Sequence, residues 1–138
     1  MPPRKKSLAA RVRATAEPFL GEKERVLRAA EAMKGTRTTL AALLGPIGYF
    51  LVLRPRHVAL TNRRIIVATP PARGGGAPKL DLALDRTATE VVEHRPGRLW
   101  TRLILQDEGG RRVALNFARL WHEEAEFLRR RLTRRERA

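Results

Sequence analysis

The three histidines, His57, His94 and His122, fall on separate segments with no HxH or HExxH spacing, and the chain has no cysteine. Transition-metal sites need closely spaced His and Cys ligands, so no metal centre is expected. His122 precedes Glu123 and Glu124 and reads as part of a solvated helix face. Gly74-Gly75-Gly76 lacks the following Lys-Ser/Thr of a phosphate-cradling P-loop and opens no GxGxxG motif. Asp81 with Asp85, and Glu90 with Glu93, are carboxylate pairs of the type that performs acid–base work, but nearby arginines make surface ion pairs the simpler account. No catalytic constellation remains, no cofactor is required, and the chain is expected not to be an enzyme.

The chemistry left is the recognition of anions. Among 138 residues, 29 basic side chains oppose 14 acidic ones, a balance of +15. The surplus sits at the ends. Residues 1–13 carry Arg4, Lys5, Lys6, Arg11 and Arg13 with no acid, while 129–138 carry Arg129, Arg130, Arg131, Arg134, Arg135 and Arg137 against Glu136. Such charge attracts nucleic acid, anionic lipid or an acidic protein face. The basic start has no apolar signal core, and a cytoplasmic chain is expected.

The elements that would position these groups can be read from periodicity. SLAARVRATAEPF, with Leu8, Val12 and Ala16 at helical spacing and Ser7 as N-cap, predicts a short basic helix closed by Pro18. Glu24–Met33 is ambiguous, its alanines favouring helix. His57–Leu60 and Ile65–Thr69 are β-branched or apolar runs around Thr61-Asn62-Arg63-Arg64, a hairpin signal. Pro70–Pro78 reads as loop. Leu80, Leu82 and Leu84 alternate with Asp81 on the other face. Thr89–His94, Trp100–Gln106 and Arg112–Asn116 complete a β-rich region, the last two joined by a Gly-Gly turn. Phe117, Leu120, Trp121, Ala125, Leu128 and Leu132 form a helical stripe with Asn116 as cap and Trp121 in the core.

Thr38–Leu53 stands apart, as sixteen residues without a charge. It is shorter than the ~20 apolar residues of a spanning helix and is broken by Gly45-Pro46 and Gly48. Two readings stay open: a bend folded into the core, or a loop whose apolar tip enters a membrane interface. Arg37, Arg54 and Arg56 flank it.

VALTNRRIIV resembles the hairpin near the start of bacterial pleckstrin-homology-like (PH-like) domains, in which an apolar strand runs through L-T-[ND]-x-R into a second strand. The matching residues are Leu60, Thr61, Asn62 and Arg64. Gly21-Glu22-Lys23-Glu24-Arg25-Val26-Leu27 is similar to the G-E-x-[EV]-x-[VL] entry to the first strand of such domains. The resemblance covers roughly residues 20–132. It implies a mainly β fold, a seven-stranded antiparallel curved sheet or partly open barrel capped by a C-terminal amphipathic helix, here with a short N-terminal basic helix. Glu24–Met33 then becomes a strand. The expected organisation is a basic segment at 1–18, a PH-like domain at 19–133 and a basic tail at 134–138. PH-like domains resemble binding or scaffolding modules, so the resemblance brings no catalytic residues.

Two functions follow as expectations. The first is a binding module docking on an anionic membrane surface, at the inner face of the membrane, or on a protein, with Arg37, Leu44, Ile47, Tyr49, Phe50, Arg54, Arg56, Arg63 and Arg64 in contact. The second is sequence-nonspecific association with nucleic acid through the arginine-rich ends. Self-association through strand edges or the apolar loop is a third possibility. At the hairpin tip, Thr61 and Asn62 read as structural, Arg63 as mainly functional, and Arg64 as suited to either role.

Overall fold

The computed structural model describes residues 3–34, 55–71 and 76–133. Helix α1 (Pro3–Ala16) runs into a 3-10 turn at Glu17–Phe19. Strands β1 (Val26–Lys34), β2 (Pro55–Thr61), β3 (Arg64–Thr69) and β4 (Lys79–Asp85) follow, then a 3-10 turn at Arg86–Ala88. Strands β5 (Glu90–Arg95), β6 (Trp100–Gln106) and β7 (Arg112–Ala118) lead through a 3-10 turn at Arg119–Trp121 into helix α2 (His122–Thr133). The seven strands form one antiparallel sheet in the order β4-β3-β2-β1-β7-β6-β5.

That order forces curvature. β4 and β5 lie on opposite edges, and in a flat sheet six strand spacings would hold them about 29 Å apart. The link from Asp85 to Glu90 reaches at most about 18 Å when extended. The sheet must therefore curl until its edges approach. The Asp85 carboxylate caps this link by accepting from Thr87 N at 2.8 Å, and the Thr89 hydroxyl donates to Asp85 O at 2.7 Å.

Alternation along the strands sorts residues onto two faces. Inside the curl, Val58, Leu60, Ile65, Val67, Leu103, Leu105, Val113, Leu115 and Phe117 pack with Trp121, Ala125, Leu128 and Leu132 of the α2 segment. The helix plugs the sheet because its apolar residues recur every three or four positions, with Glu123 and Glu124 in the first turn and Arg130 and Arg131 in the last, as the helix dipole prefers. On the outer face, Ala59, Ile66 and Ala68 meet Ala16, with Phe19, Leu20 and Val26 around them. This is where α1 lies.

Several sequence expectations shift. The N-terminal helix starts at Pro3, ahead of Ser7, and is packed into the body: Val12 is fully buried and Leu8 and Ala9 touch the inner core. Phe117 is not the first residue of the terminal helix. β7 continues to Ala118 because Phe117 pairs with Thr101 on one side and Ala32 on the other, so Asn116 lies within the strand and its Nδ2 donates to Met33 O. Trp121 is buried as expected. The architecture, seven antiparallel strands in a curved sheet with a C-terminal helix, is the one the PH-like resemblance implies.

Candidate functional site: two ends of a basic sheet

The hairpin tip is explained by what it touches. The buried Glu24 carboxylate grips Arg64 in a fork, Oε1 accepting from Nη2 at 2.7 Å and Oε2 from Nε at 3.1 Å. Gly21 N donates to Oε1 at 2.8 Å and the Thr61 hydroxyl to Oε2 at 2.6 Å. Thr61 Oγ1 also accepts from Arg63 N and Arg64 N, closing the turn. Asn62 Oδ1 accepts from Arg25 N at 2.9 Å, and Arg64 Nη2 donates to Phe19 O at 2.6 Å. The two short motifs of the sequence are thus one lock joining the strand entry to the hairpin. It also holds Lys23 in a left-handed backbone conformation, φ 63°, which a non-glycine residue adopts at a cost of roughly 1 kcal/mol. The Arg64 fork holds the Glu24 carboxyl down at about 2, well below the usual carboxylate range, against the opposing effect of burial. Arg64 is therefore committed to the lock, whereas Arg63 is exposed.

A second polar cluster lies under α1. His57 Nδ1 is 2.7 Å from Thr15 Oγ1, which itself donates to Arg11 O, so the imidazole is the donor to Thr15. Its Nε2 faces Glu31 Oε2 at 3.8 Å. Burial, with the charge of Arg11 adding, lowers the His57 pKa to about 4, while burial raises that of Glu31. Because the folded state keeps His57 neutral below its ordinary value of 6.5, the unfolded chain binds the extra proton, and stability falls as pH drops from about 6.5 towards 4. Glu31, raised, contributes in the opposite sense as pH rises above its ordinary value. We expect His57→Gln to flatten the stability slope across that window, measured by urea unfolding at several pH values; an unchanged slope would show that His57 is not its source.

Register fixes which connections share an end of the sheet. Lys34 pairs with Leu115 and Met33 with Pro55, so the β1–β2, β3–β4 and β6–β7 connections leave from the same end, called here the loop end. Arg56, Lys79, Arg111 and Arg112 are located there. Arg56 Nε donates to Asp81 Oδ2 at 2.6 Å, and Asp81 Oδ1 accepts from Thr69. Arg111 pairs with Asp107 at 3.2 Å. Arg63 and Arg64 are at the other end of β2, about 20 Å away for a strand of this length, so the structure does not bring them together with Arg56. Arg37, Leu44, Ile47, Tyr49, Phe50 and Arg54 lie outside the described residues, as do Arg134, Arg135 and Arg137.

The basic chain ends are largely engaged where described. Lys5 is buried, its Nζ 2.8 Å from Glu124 Oε1 and 5.7 Å from the Trp121 ring centroid. Arg13 donates to Val26 O. Arg129 pairs with Glu126 at 2.8 Å, and the Arg131 and Arg28 guanidiniums lie 4.9 and 4.4 Å from the Phe127 ring centroid. Lys6, Arg11 and Arg130 are exposed, and Arg4 falls in α1.

No protein-family model matches the chain, and no curated protein matches it. Among solved structures, the chain is similar to one described as Vav1 inhibited by an allosteric inhibitor, at 13% identity and a TM-score of 0.48, over 92% of this chain and 34% of that one. The chain thus spans about a third of the length of that relative.

One cluster is not marked by any of the sequence motifs above. At the end opposite the loops, here the helix end, the β5–β6 turn meets the 3-10 turn before α2: Arg119 N donates to Leu99 O at 2.9 Å, and Trp100 pairs with Ala118. Leu99 is 69% exposed, Trp100 40% and Leu120 38%. Leu99 and Leu120 line an open cleft of about 930 Å³ together with Lys5, Arg98, Arg119, His122 and one carboxylate, Glu123. The signal was the Gly97-Arg98-Leu99-Trp100 run directly after Pro96, apolar residues placed on a turn. Gly97 is required there, since a Cβ would lie 2.7 Å from Trp100 O. Among the described residues no group of acids and histidines is placed to hold a metal ion, and no helix is long and apolar enough to cross a membrane.

Proposed function

We propose that the chain is a non-catalytic PH-like binding module that docks on an anionic membrane surface through its loop end. In this reading Leu44, Ile47, Tyr49 and Phe50 enter the interface while Arg37, Arg54 and Arg56 meet lipid phosphates. The observation that supports it most is topological: the β1–β2 connection, with sixteen uncharged residues in a row, departs from the same end of the sheet as Arg56, Lys79, Arg111 and Arg112. Apolar insertion combined with charge attraction is the two-signal arrangement that holds proteins to bilayers, with each basic residue near the surface adding about 1 kcal/mol.

Vesicle sedimentation tests the reading. The chain is expected to bind vesicles of phosphatidylcholine with phosphatidylglycerol and not phosphatidylcholine alone, and Ile47→Ser with Phe50→Ser to weaken partition by about tenfold. Equal binding to both vesicle types, or to neither, would sink the proposal. The second reading, nucleic acid held by the basic ends, is weakened by Lys5, whose charge is spent on buried Glu124. A gel shift in a salt series decides it, since phosphate contacts make affinity fall steeply with salt.

A further inference from the structure

We infer that the helix end of the sheet carries a second contact for anionic lipid, in which Leu99, Trp100 and Leu120 enter the bilayer interface and Arg98 and Arg119 engage headgroup phosphates. This rests on the reading of the chain as a lipid-docking module but uses the end opposite the loops. Five large apolar side chains are exposed among the described residues, and three of them gather here; the other two, Leu80 and Val92, are on the edge strands β4 and β5. The cluster is presented on a fixed support. Arg119 N holds the turn by its bond to Leu99 O, and Gly97 lets the backbone approach Trp100 O too closely for any side chain. Little ordering cost would therefore accompany insertion.

The chemistry of the rim selects the occupant. Among the described residues neither Arg98 nor Arg119 has an ion-pair partner, whereas Lys5 in the adjacent cleft is neutralised by Glu124. A tryptophan at the edge of an apolar cluster with arginines beside it suits the interfacial zone, where the ring is half wet and the guanidinium meets phosphate. A second copy of the chain is a poor occupant, because two bodies each of net charge +15 repel one another. On a single bilayer the two ends compete rather than add, so the helix end is best read when the loop end is disabled.

The tryptophans supply the readout. Trp121 is buried and Trp100 exposed, so a change of emission on binding reports Trp100. The full chain carrying Ile47→Ser and Phe50→Ser is mixed with vesicles containing roughly one-third phosphatidylglycerol. It is expected to retain measurable partition, with blue-shifted emission and reduced acrylamide quenching. Adding Leu99→Ser and Leu120→Ser should lower the remaining partition by about tenfold, while circular dichroism confirms an unchanged fold. If the loop-end variant no longer binds although the unaltered chain does, the inference is overturned and the loop-end reading stands. Binding with Trp100 emission unchanged, or indifference to the serine pair, also overturns it. No binding by the unaltered chain removes both.

Discussion

Arg64→Leu should cost about 3 kcal/mol of folding stability, more than Glu24→Leu does, in urea unfolding at neutral pH. The asymmetry follows from burial. The Glu24 side chain is 1% exposed and that of Arg64 32%. Removing the arginine strands a carboxylate away from water with only Gly21 N and the Thr61 hydroxyl to satisfy it. Removing the acid leaves a guanidinium that solvent can reach and that keeps its bond to Phe19 O. The acid limb of stability should become shallower as well. With the fork intact, the folded carboxyl titrates near 2 against an ordinary value of 4.5, so its contribution is present above about 4.5 and is lost as pH falls through about 2. Without the fork, burial raises the value while the bonds from Gly21 N and the Thr61 hydroxyl still lower it, so less stability should be lost in acid than in the unaltered chain. Equal losses from the two substitutions would overturn the asymmetry, and losses under about 1 kcal/mol from both would mean that the lock is a surface pair of little consequence.

Lys5→Met is expected to destabilise by a similar amount, about 3 kcal/mol, and Lys5→Met with Glu124→Leu to recover most of it. Both side chains are more than nine-tenths buried, and Glu124 Oε2 already has no hydrogen-bond partner. Losing the ammonium therefore leaves an isolated buried charge, while replacing both partners restores an apolar contact between α1 and the start of α2. A double-mutant cycle by denaturant unfolding gives the coupling directly. A loss below about 0.5 kcal/mol for the single substitution would show that α1 is not docked on the body of the protein.

Strands were legible in the sequence wherever one face is wet. The strand of Leu82 and Leu84 follows the alternation, although a register shift between Val67 and Ala68 sets Leu80 opposite Ala68 and leaves it exposed, and the hairpin of β2 and β3 turns at Thr61 and Asn62, whose side chains make the turn bonds their types suggest. β1 was harder, because Ala29, Ala30 and Ala32 favour a helix locally. The structure gives these alanines a different use. β1 is flanked on both sides by other strands, and Ala29 lies opposite Ala59 on the outer face, where with Ala68 the small side chains let α1 come close. Only the family resemblance pointed that way. The helical spacing of Phe117, Leu120 and Trp121 predicts a terminal helix that begins before the true one, because the pairing of β7 overrides that spacing. At the candidate site, residue types identified basic and apolar groups but not their neighbours. Arg64 and Arg56 were grouped by proximity in sequence, and β2 separates them. Lys5 belongs to a run of positive charge expected to meet a polyanion, whereas its burial depends on Glu124, distant in sequence.

The sheet order has a consequence for how the chain is made. β1 is hydrogen-bonded to both β2 and β7, so the first-synthesised strand lies at the centre of the finished sheet and one of its edges waits for the last. As the chain leaves the ribosome, β1 to β4 can zip into a meander of neighbours, yet the inner apolar face stays uncovered and the β1 edge unpaired until β7 and α2 emerge. Lys5 can meet Glu124 only once α2 has emerged, and the nascent protein is most exposed to misassembly in the interval before β7 and α2 are made.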